Sequence, residues 1–390
     1  MKVAVLGGFG LMAEAALHDL ADNPRVGKVW AVDLNTDRAR GVLSRIPNRR
    51  KIETMRADFT TAGRRLKGCD TVLNCAWYEL NLKAMDLALR LKAHYVDLGG
   101  LYHMTRKQLK RDAEFRRASR LAVLGCGSTP GITNMMAARM AHSFETIDTV
   151  AIYDASSDPT LTDDTFMPPF SIRTMLAEYV QPAPVLRRGR MIAAPPHSAP
   201  ESIDFRSPIG RVTAATVIHS ETATLPDYLK DKKVKNIAFK IVYPDCVKRQ
   251  LGLLVGMGLA ADDPVELDGH RVSPRGFLTA LGARAAAQAP AVAPRDFEVL
   301  RVRMEGTRHG RPLAKTWDCE IRPVGGLSAG ALGVGFTGAI GASMAALGQG
   351  KARCGAASSE SALDEDVFFR ELRRRKAFSL IETISQPLAI

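Results

Sequence analysis

The segment KVAVLGGFGLMAEAALHDL holds Gly8, Gly10 and Ala13 in the spacing G-x-G-x-x-A, directly after a run of β-forming apolar residues. Glycines in this pattern let the backbone turn tightly and approach a pyrophosphate, whose charge meets free amides at the start of the next helix. A small third residue lets that helix lie close to its strand. Gly8, Phe9, Gly10, Leu11 and Met12 are therefore the expected diphosphate loop. Asp33 ends the next apolar run, VWAVD, 20 residues past Ala13, where a carboxylate accepts hydrogen bonds from an adenosine ribose. Leu34 and Asn35 beside it, with Asp58 and Phe59 after a third run, complete the expected adenosine side. A carboxylate at position 33 repels a 2′-phosphate whereas nearby Arg38 attracts one, so NAD is the expected cofactor, with NADP possible.

Two other motifs compete. GVGFTG, residues 333–338, matches G-x-G-x-x-G but follows SAGAL rather than a β-rich run, and no acidic strand end lies the right distance beyond it. Its glycines are expected to allow close contact between their helix and the cofactor domain. Residues 326–330 spell G-x-S-x-G, the nucleophile elbow of a serine hydrolase, yet that fold needs a histidine after the serine and the last one is His309.

Composition narrows the classes. The chain has 390 residues, 46% hydrophobic and 24% charged, which suits a folded protein of two or three lobes. Its formal charge of +13 could suggest nucleic acid, but the basic residues are dispersed over helix faces and turns, so no nucleic-acid partner is expected. Residues 324–350 carry no charge until Lys351, but they are rich in Gly, Ala and Ser, so a closely packed internal helix is expected and no membrane. Six cysteines show neither C-x-x-C pairs nor histidines at ligand spacing, so neither a zinc site nor a disulfide framework is indicated and a reducing cytoplasm is expected.

The elements that would position these residues alternate. Six apolar runs, KVAVLG, GKVWAVD, KIETMRA, TVLNCA, HYVDLG and RLAVLGC, are separated by helical stretches. That rhythm predicts an α/β fold, with an N-terminal Rossmann doubly wound parallel sheet over 1–125. Longer strand candidates follow (IDTVAIYDA, GRVTAATVIHSE, VKNIAFKIVY, DFEVLRVRMEG and PLAKTWDCEIRP) without crossover helices between most of them. They predict a second α+β domain with a mixed sheet over 126–325. Residues 326–390 are expected to be helices returning to the first domain, and the proline- and glycine-rich stretches 158–169 and 182–200 to be loops.

Ligands of an open parallel sheet bind beyond the carboxyl ends of its strands. Asn74, Cys75 and Ala76 should then line the cofactor, and Tyr78 and Gly99 should face the substrate. Thr129 could cap a helix with Pro130 in its first turn, making Thr129, Pro130 and Gly131 a candidate grip on a substrate carboxylate. Arg173, Lys240 and Arg301 are candidate carboxylate partners elsewhere.

The runs NCAWYELNLKAMDLALRLKAHYVDLGG, GCGSTPGITNMMA, HSETATLP and VKNIAFKIVYPDCVKRQL resemble the saccharopine dehydrogenase superfamily, in its saccharopine reductase and lysine 6-dehydrogenase branch. The resemblance spans nearly the whole chain. It implies hydride transfer between NAD(P) and a carbon bearing nitrogen, in a small amino-acid-derived substrate, by a homodimer. HSETATL differs from the uncharged glycine-rich segment of lysine 6-dehydrogenases and is more similar to the saccharopine type. Such chemistry moves a proton on nitrogen, and His219 titrates in the right range. Glu221 or Asp97 would bind the substrate ammonium or tune the histidine. Read without the resemblance, VIHSETA also suits an ordinary strand. A cofactor-binding sensor or scaffold without chemistry is the rival class.

Overall fold

The computed structural model describes residues 1–164, 170–288 and 292–385. The six N-terminal runs form β1 (Lys2–Leu6), β2 (Lys28–Asp33), β3 (Ile52–Arg56), β4 (Thr71–Asn74), β5 (His94–Asp97) and β6 (Leu121–Leu124). All pair in parallel, in the order β3-β2-β1-β4-β5-β6. Val3 to Leu6 are fully buried, as strands covered on both faces must be. The chain winds outward from β1 to β3 and then restarts at β4, so a crevice opens beyond the carboxyl ends of β1 and β4.

The second sheet takes β7 (Thr146–Ser157), β8 (Ala183–Arg187), β9 (Arg190–Ala194), β10 (Ser198–Asp204), β11 (Arg211–Thr216) and β12 (Asn236–Val242). A small separate hairpin, β13 (Val265–Leu267) and β14 (His270–Val272), precedes the long strands β15 (Phe297–Arg308) and β16 (Arg311–Ile321) of the second sheet. β17 (Gly355–Ser358) and β18 (Phe378–Ser385) follow. The main path is β10-β11-β12-β7-β15-β16-β18, and its β12–β7 pair is parallel among antiparallel neighbours. The sheet is therefore mixed, as the sequence pattern suggested.

Three expectations need correction. Within 182–200, expected as a loop, β8 and β9 form a hairpin that turns at Arg188 and Gly189. Prolines mask it because β8 meets β12 at a single pair, Leu186 with Ile237, which leaves Pro184 on an edge where a missing amide is tolerated. VIHSETA is not a strand, since β11 ends at Thr216 and a helix runs Glu221–Tyr228. The tail beyond 325 is not only helices returning to the first domain: β17 adds a seventh strand beside β6, while β18 pairs with β16 of the second sheet. The sequence of β17, Gly-Ala-Ala-Ser, has no β-branched residue to announce it. Of the other proline-rich stretch, residues 165–169 lie outside the described residues.

The glycines of GVGFTG sit in the helix Ala329–Ala346, which is long and apolar enough to cross a membrane but is mostly buried inside the protein. A side chain at Gly335 would meet the Met12 carbonyl, and one at Gly338 would meet Leu98 beyond β5. The helix thus lies directly on the cofactor domain, and small residues permit that approach.

Candidate active site

The first turn after β1 does not use the glycines as the spacing suggested. Gly7, unassigned by the fingerprint, holds φ +68°, and a Cβ there would come within 2.9 Å of the Ala76 backbone. Gly8 packs against Ala31 of β2, and Gly10 caps the helix Leu11–Asp22. The first intrahelical bond runs from the Glu14 amide to the Gly10 carbonyl, so the amides of Leu11, Met12 and Ala13 point out of the helix end. Phe9 is buried in the core, and its amide donates to Asp33 Oδ2 (3.1 Å). Asp33 Oδ1 accepts from the Asn35 amide, which ties loop and strand end together. Leu34 and Asn35 are exposed beside it.

Asp58 is exposed and accepts from Thr60, at the rim of this side, whereas Phe59 points into the core with Trp30 and Met55 and offers nothing to a ligand. Asn74 is likewise withdrawn: its amide group donates to Asn81 and its oxygen accepts from the Ala76 amide. Cys75 and Ala76 do reach the crevice.

The crevice opens into a cavity of about 480 Å³ between the two sheets. Met12, Cys75 and Ala76 form its cofactor side, and Trp77, Tyr78, Gly99, Thr129 and Pro130 line it further on. Gly131 lies beneath, with φ +131° and no room for a side chain against Gly127.

Thr129 does not cap the following helix. That helix begins at Ile132 with Gly131 as its cap, and the Ile132 and Thr133 amides are already bound by the carbonyls of Gly127 and Ser128. With those donors consumed, the turn is no carboxylate site. Thr129 instead donates its hydroxyl to the Asp154 carboxylate (3.4 Å).

The centre of the far wall is His219. Its Nδ1 meets Glu221 Oε2 at 2.5 Å, its ring stacks on Phe239, and Nε2 lies 3.9 Å from Glu178 Oε1. A carboxylate on Nδ1 keeps the proton there in the neutral ring and leaves Nε2 as the acceptor. Burial alone would lower the pKa of His219, but the combined pull of Glu221, Glu178 and Asp154 pushes it up to about 8. Burial raises Glu178 to about 7 against the opposing effects of His219 and of the Tyr243 hydroxyl, which donates to it. Burial likewise raises Asp154 to about 6, although His219 opposes it.

Glu221 is fully buried and held by the Thr133 hydroxyl, so it orients the histidine and does not line the cavity. Asp97 also departs from expectation. It is 1% exposed and accepts from the amides of Gly99 and Gly125 and from Gln108 and Asn81. Its work is to pin the loops after β5 and β6, and burial pushes its pKa up despite those donors.

The sequence reading missed Asp154, Glu178, Asp296 and Glu298, all on the cavity wall. A signal existed. Val150, Ile152, Asp154 and Ser156 share one face of β7, opposite Met304, Val302, Leu300 and Glu298 of β15. A carboxylate in each otherwise apolar face, both at the same end, marks a buried polar site. Of the candidate cations, Arg301 pairs with Asp318 and Lys240 with Glu201, away from the cavity. Arg173 alone comes near, stacked 4.3 Å above the Trp77 ring. Ser328 has an ordinary φ of −70° and caps its helix by accepting from the Ala331 amide, unlike the strained serine of a nucleophile elbow. All six cysteines are free, and the described residues hold no cluster of potential metal ligands.

A dinucleotide fits this frame. Free helix amides would take the diphosphate and Asp33 the ribose. Ala76 is held so close to Gly7 that only glycine fits, and the crevice leads on to the cavity. Comparisons with known proteins agree. The saccharopine dehydrogenase NADP binding domain model matches residues 3–123, and the saccharopine dehydrogenase C-terminal domain model matches 127–377. The chain is 24% identical over 222 residues to carboxyaminopropylagmatine dehydrogenase of Synechocystis sp., covering 55% of this chain and 54% of that protein. It is 24% identical over 224 residues to carboxynorspermidine synthase of Vibrio cholerae, covering 54% and 53%. The match thus spans about half the length of these curated relatives. The apo saccharopine dehydrogenase (L-Glu forming) of Saccharomyces cerevisiae shares the fold, with TM-score 0.75 and 18% identity over 98% of this chain and 99% of that one. With a parallel dinucleotide-binding sheet, a mixed second sheet and family models covering nearly its whole length, this chain belongs to the saccharopine dehydrogenase family of NAD(P)-binding oxidoreductases.

Proposed function

We propose that the protein transfers hydride between NAD(P) and the carbon of a C–N bond in an amino-acid-derived secondary amine. The observation that carries this reading is His219, its Nδ1 held by Glu221 Oε2 and its Nε2 3.9 Å from Glu178 Oε1, in the cavity that the cofactor loop also lines. A bound nicotinamide supplies the hydride acceptor or donor. The protein does the rest. In the oxidative direction His219 Nε2 takes the proton from the amine nitrogen, whose lone pair then drives hydride out of the neighbouring carbon. Glu221 holds the ring, while Glu178 and Asp154 stabilise the imidazolium that results. Water adds to the imine so formed and releases a carbonyl compound and a primary amine. In reduction the same imidazolium returns the proton.

A secondary amine of the saccharopine type is favoured over the terminal amine of lysine by the His219–Glu221 pair, which matches the saccharopine-type motif in sequence. The names of the two curated relatives, each a carboxylated amine, point the same way. Arg173, stacked on the cavity-lining Trp77, is the proposed partner of the substrate carboxylate. Asp33, already engaged at the loop, favours NAD over NADP. Purified protein should reduce NAD with saccharopine or an N-carboxyalkyl diamine, at least tenfold more efficiently than NADP. Tight NAD binding without turnover on any secondary or primary amine would instead support a sensor.

We also propose that the enzyme works as a homodimer in the reducing cytoplasm. Exposed Ile192 borders a largely apolar hollow on the second sheet, and the six cysteines are unpaired. Light scattering should give a mass near twice the 42.3 kDa of the chain; a monomer at micromolar concentration would remove this assignment.

A further inference from the structure

Two oxygens on the cavity wall are left over by the chemistry at His219. Glu298, 7% exposed on β15, has an Oε2 that is sealed from solvent and without a hydrogen-bond partner. Ser128, 3% exposed in the loop after β6, has an unpartnered hydroxyl. Both residues line the cavity. Half-buried Asp296 beside them uses Oδ2 to accept from the Gly330 amide, which anchors the start of the helix Ala329–Ala346 against this wall. Burying a hydroxyl and a carboxyl oxygen unpaired is costly, so a ligand that both donates and accepts is implied.

The two oxygens approach one place. A Cβ at Gly333 would lie 2.5 Å from Ser128 Oγ and 3.4 Å from Glu298 Oε2, so a side chain there would collide with the hydroxyl and crowd the carboxyl. The helix itself gives them nothing, since amides past its first turn are bonded internally. The same turn reaches the cofactor end of the cavity. Gly335, two residues on, abuts the Met12 carbonyl, and Val334 lines the cavity with Met12, Cys75 and Ala76. Charge then selects the ligand. Burial pushes the Glu298 carboxyl well above the usual carboxylate range, and Asp154 and Asp296 add to the effect, so at neutral pH it is an uncharged group. A neutral amide suits it, with N–H donors beside a carbonyl acceptor. The carboxamide of a nicotinamide ring is such a group.

We propose that Glu298 and Ser128 hold the carboxamide of the nicotinamide, Glu298 accepting from its N–H and Ser128 donating to its carbonyl. One residue follows β6 of the first sheet and the other lies on β15 of the second, so the bound cofactor joins the two sheets. The anchored amide fixes which face of the ring is presented to the amine. A ring without the amide N–H would leave Glu298 Oε2 unpaired again, and that penalty is the source of selectivity. The proposal rests on the reading of the crevice as the NAD(P) site and is independent of which amine reacts.

Calorimetric titration of the full chain with NAD, 3-acetylpyridine adenine dinucleotide and ADP-ribose tests it. The acetylpyridine analogue carries a methyl in place of the amide nitrogen, and ADP-ribose carries no ring. The wild type should bind NAD more tightly than the analogue by about tenfold or more. Glu298→Leu should bring that ratio toward one while ADP-ribose affinity stays unchanged, and Glu298→Gln, whose carbonyl still accepts, should keep the ratio. Ser128→Ala should weaken NAD and the analogue alike, because both carry the carbonyl. Equal binding of NAD and the analogue by the wild type, or an unchanged ratio in Glu298→Leu, overturns the carboxamide site. Wild-type protein that binds neither NAD nor ADP-ribose overturns the cofactor reading with it. A preference for NAD over the analogue without turnover on any amine keeps the carboxamide site and refutes only the amine-oxidoreductase reading.

Discussion

Under the proposed mechanism, replacing His219 with glutamine should lower kcat for amine oxidation by about 10²- to 10³-fold, within the range expected when a positioned proton carrier is lost. The variant keeps the shape and a hydrogen-bonding group toward Glu221, so the effect falls on proton transfer rather than on packing. The pH profile is the sharper readout. Oxidation needs neutral His219, so wild-type kcat/KM should rise with pH through about 8, the value to which the surrounding carboxylates push the histidine against burial. Reduction needs the imidazolium and should fall through the same range. Both limbs should vanish in His219→Gln. Stability follows the same linkage: a histidine whose folded pKa lies above its ordinary 6.5 stabilises the native state fully below pH 6.5, and that contribution is lost as pH rises through about 8. Glu221→Gln should move the kinetic limb to lower pH, because the strongest attraction that raises the histidine is gone. A His219→Gln enzyme with wild-type turnover at every pH would remove the histidine from the chemistry.

Much of the frame behind that prediction is legible in the sequence, and the illegible part has physical causes. Val3 to Leu6 read as a doubly covered strand because every residue is apolar, and Asp33 reads as a strand-end carboxylate because its distance from the loop is fixed by one helix and one strand. The turn itself misleads: adjacent Gly7, Gly8 and Gly10 allow more than one register, and only the contact with Ala76 decides that Gly7 takes the left-handed conformation. Asp97 and Asn74 stand at strand ends where ligands bind, but side chains from the following helices, Gln108 and Asn81, consume their hydrogen-bonding capacity. Asp154 and Glu298 escape notice for the converse reason. Each lies in a strand that reads as ordinary alternation, and they become one site only when β7 and β15 pair across about 140 intervening residues.

Gly335 is where the decoy motif becomes testable. A Cβ at this position would lie 2.3 Å from the Met12 carbonyl oxygen, 2.7 Å from Ala15 Cβ and 2.8 Å from the Ala16 amide nitrogen. Two of those atoms are backbone and the third is a methyl with no rotamer to change, so nothing local can yield. Gly335→Val therefore forces the helix Ala329–Ala346 away from the helix Leu11–Asp22 by about 1 Å, the gap between such a clash and ordinary contact. The same helix is fitted at Gly338 against Leu98 and at Gly341 against Cys126, so the displacement spreads into β4, β5 and the loop after β6. Overpacking on this scale costs about 3 kcal/mol or more, an expected fall in Tm of about 4 °C or more for a chain of this length. Because the Met12 carbonyl belongs to the first turn after the diphosphate loop, NAD affinity should fall with it, by tenfold or more, although residue 335 touches no cofactor. Gly256→Ala, at a helix end where an added Cβ meets nothing within 4 Å, should leave both quantities unchanged. If Gly335→Val melted and bound NAD like the wild type, the close approach that explains this glycine-rich segment would be wrong, and the fingerprint it spells would need another cause.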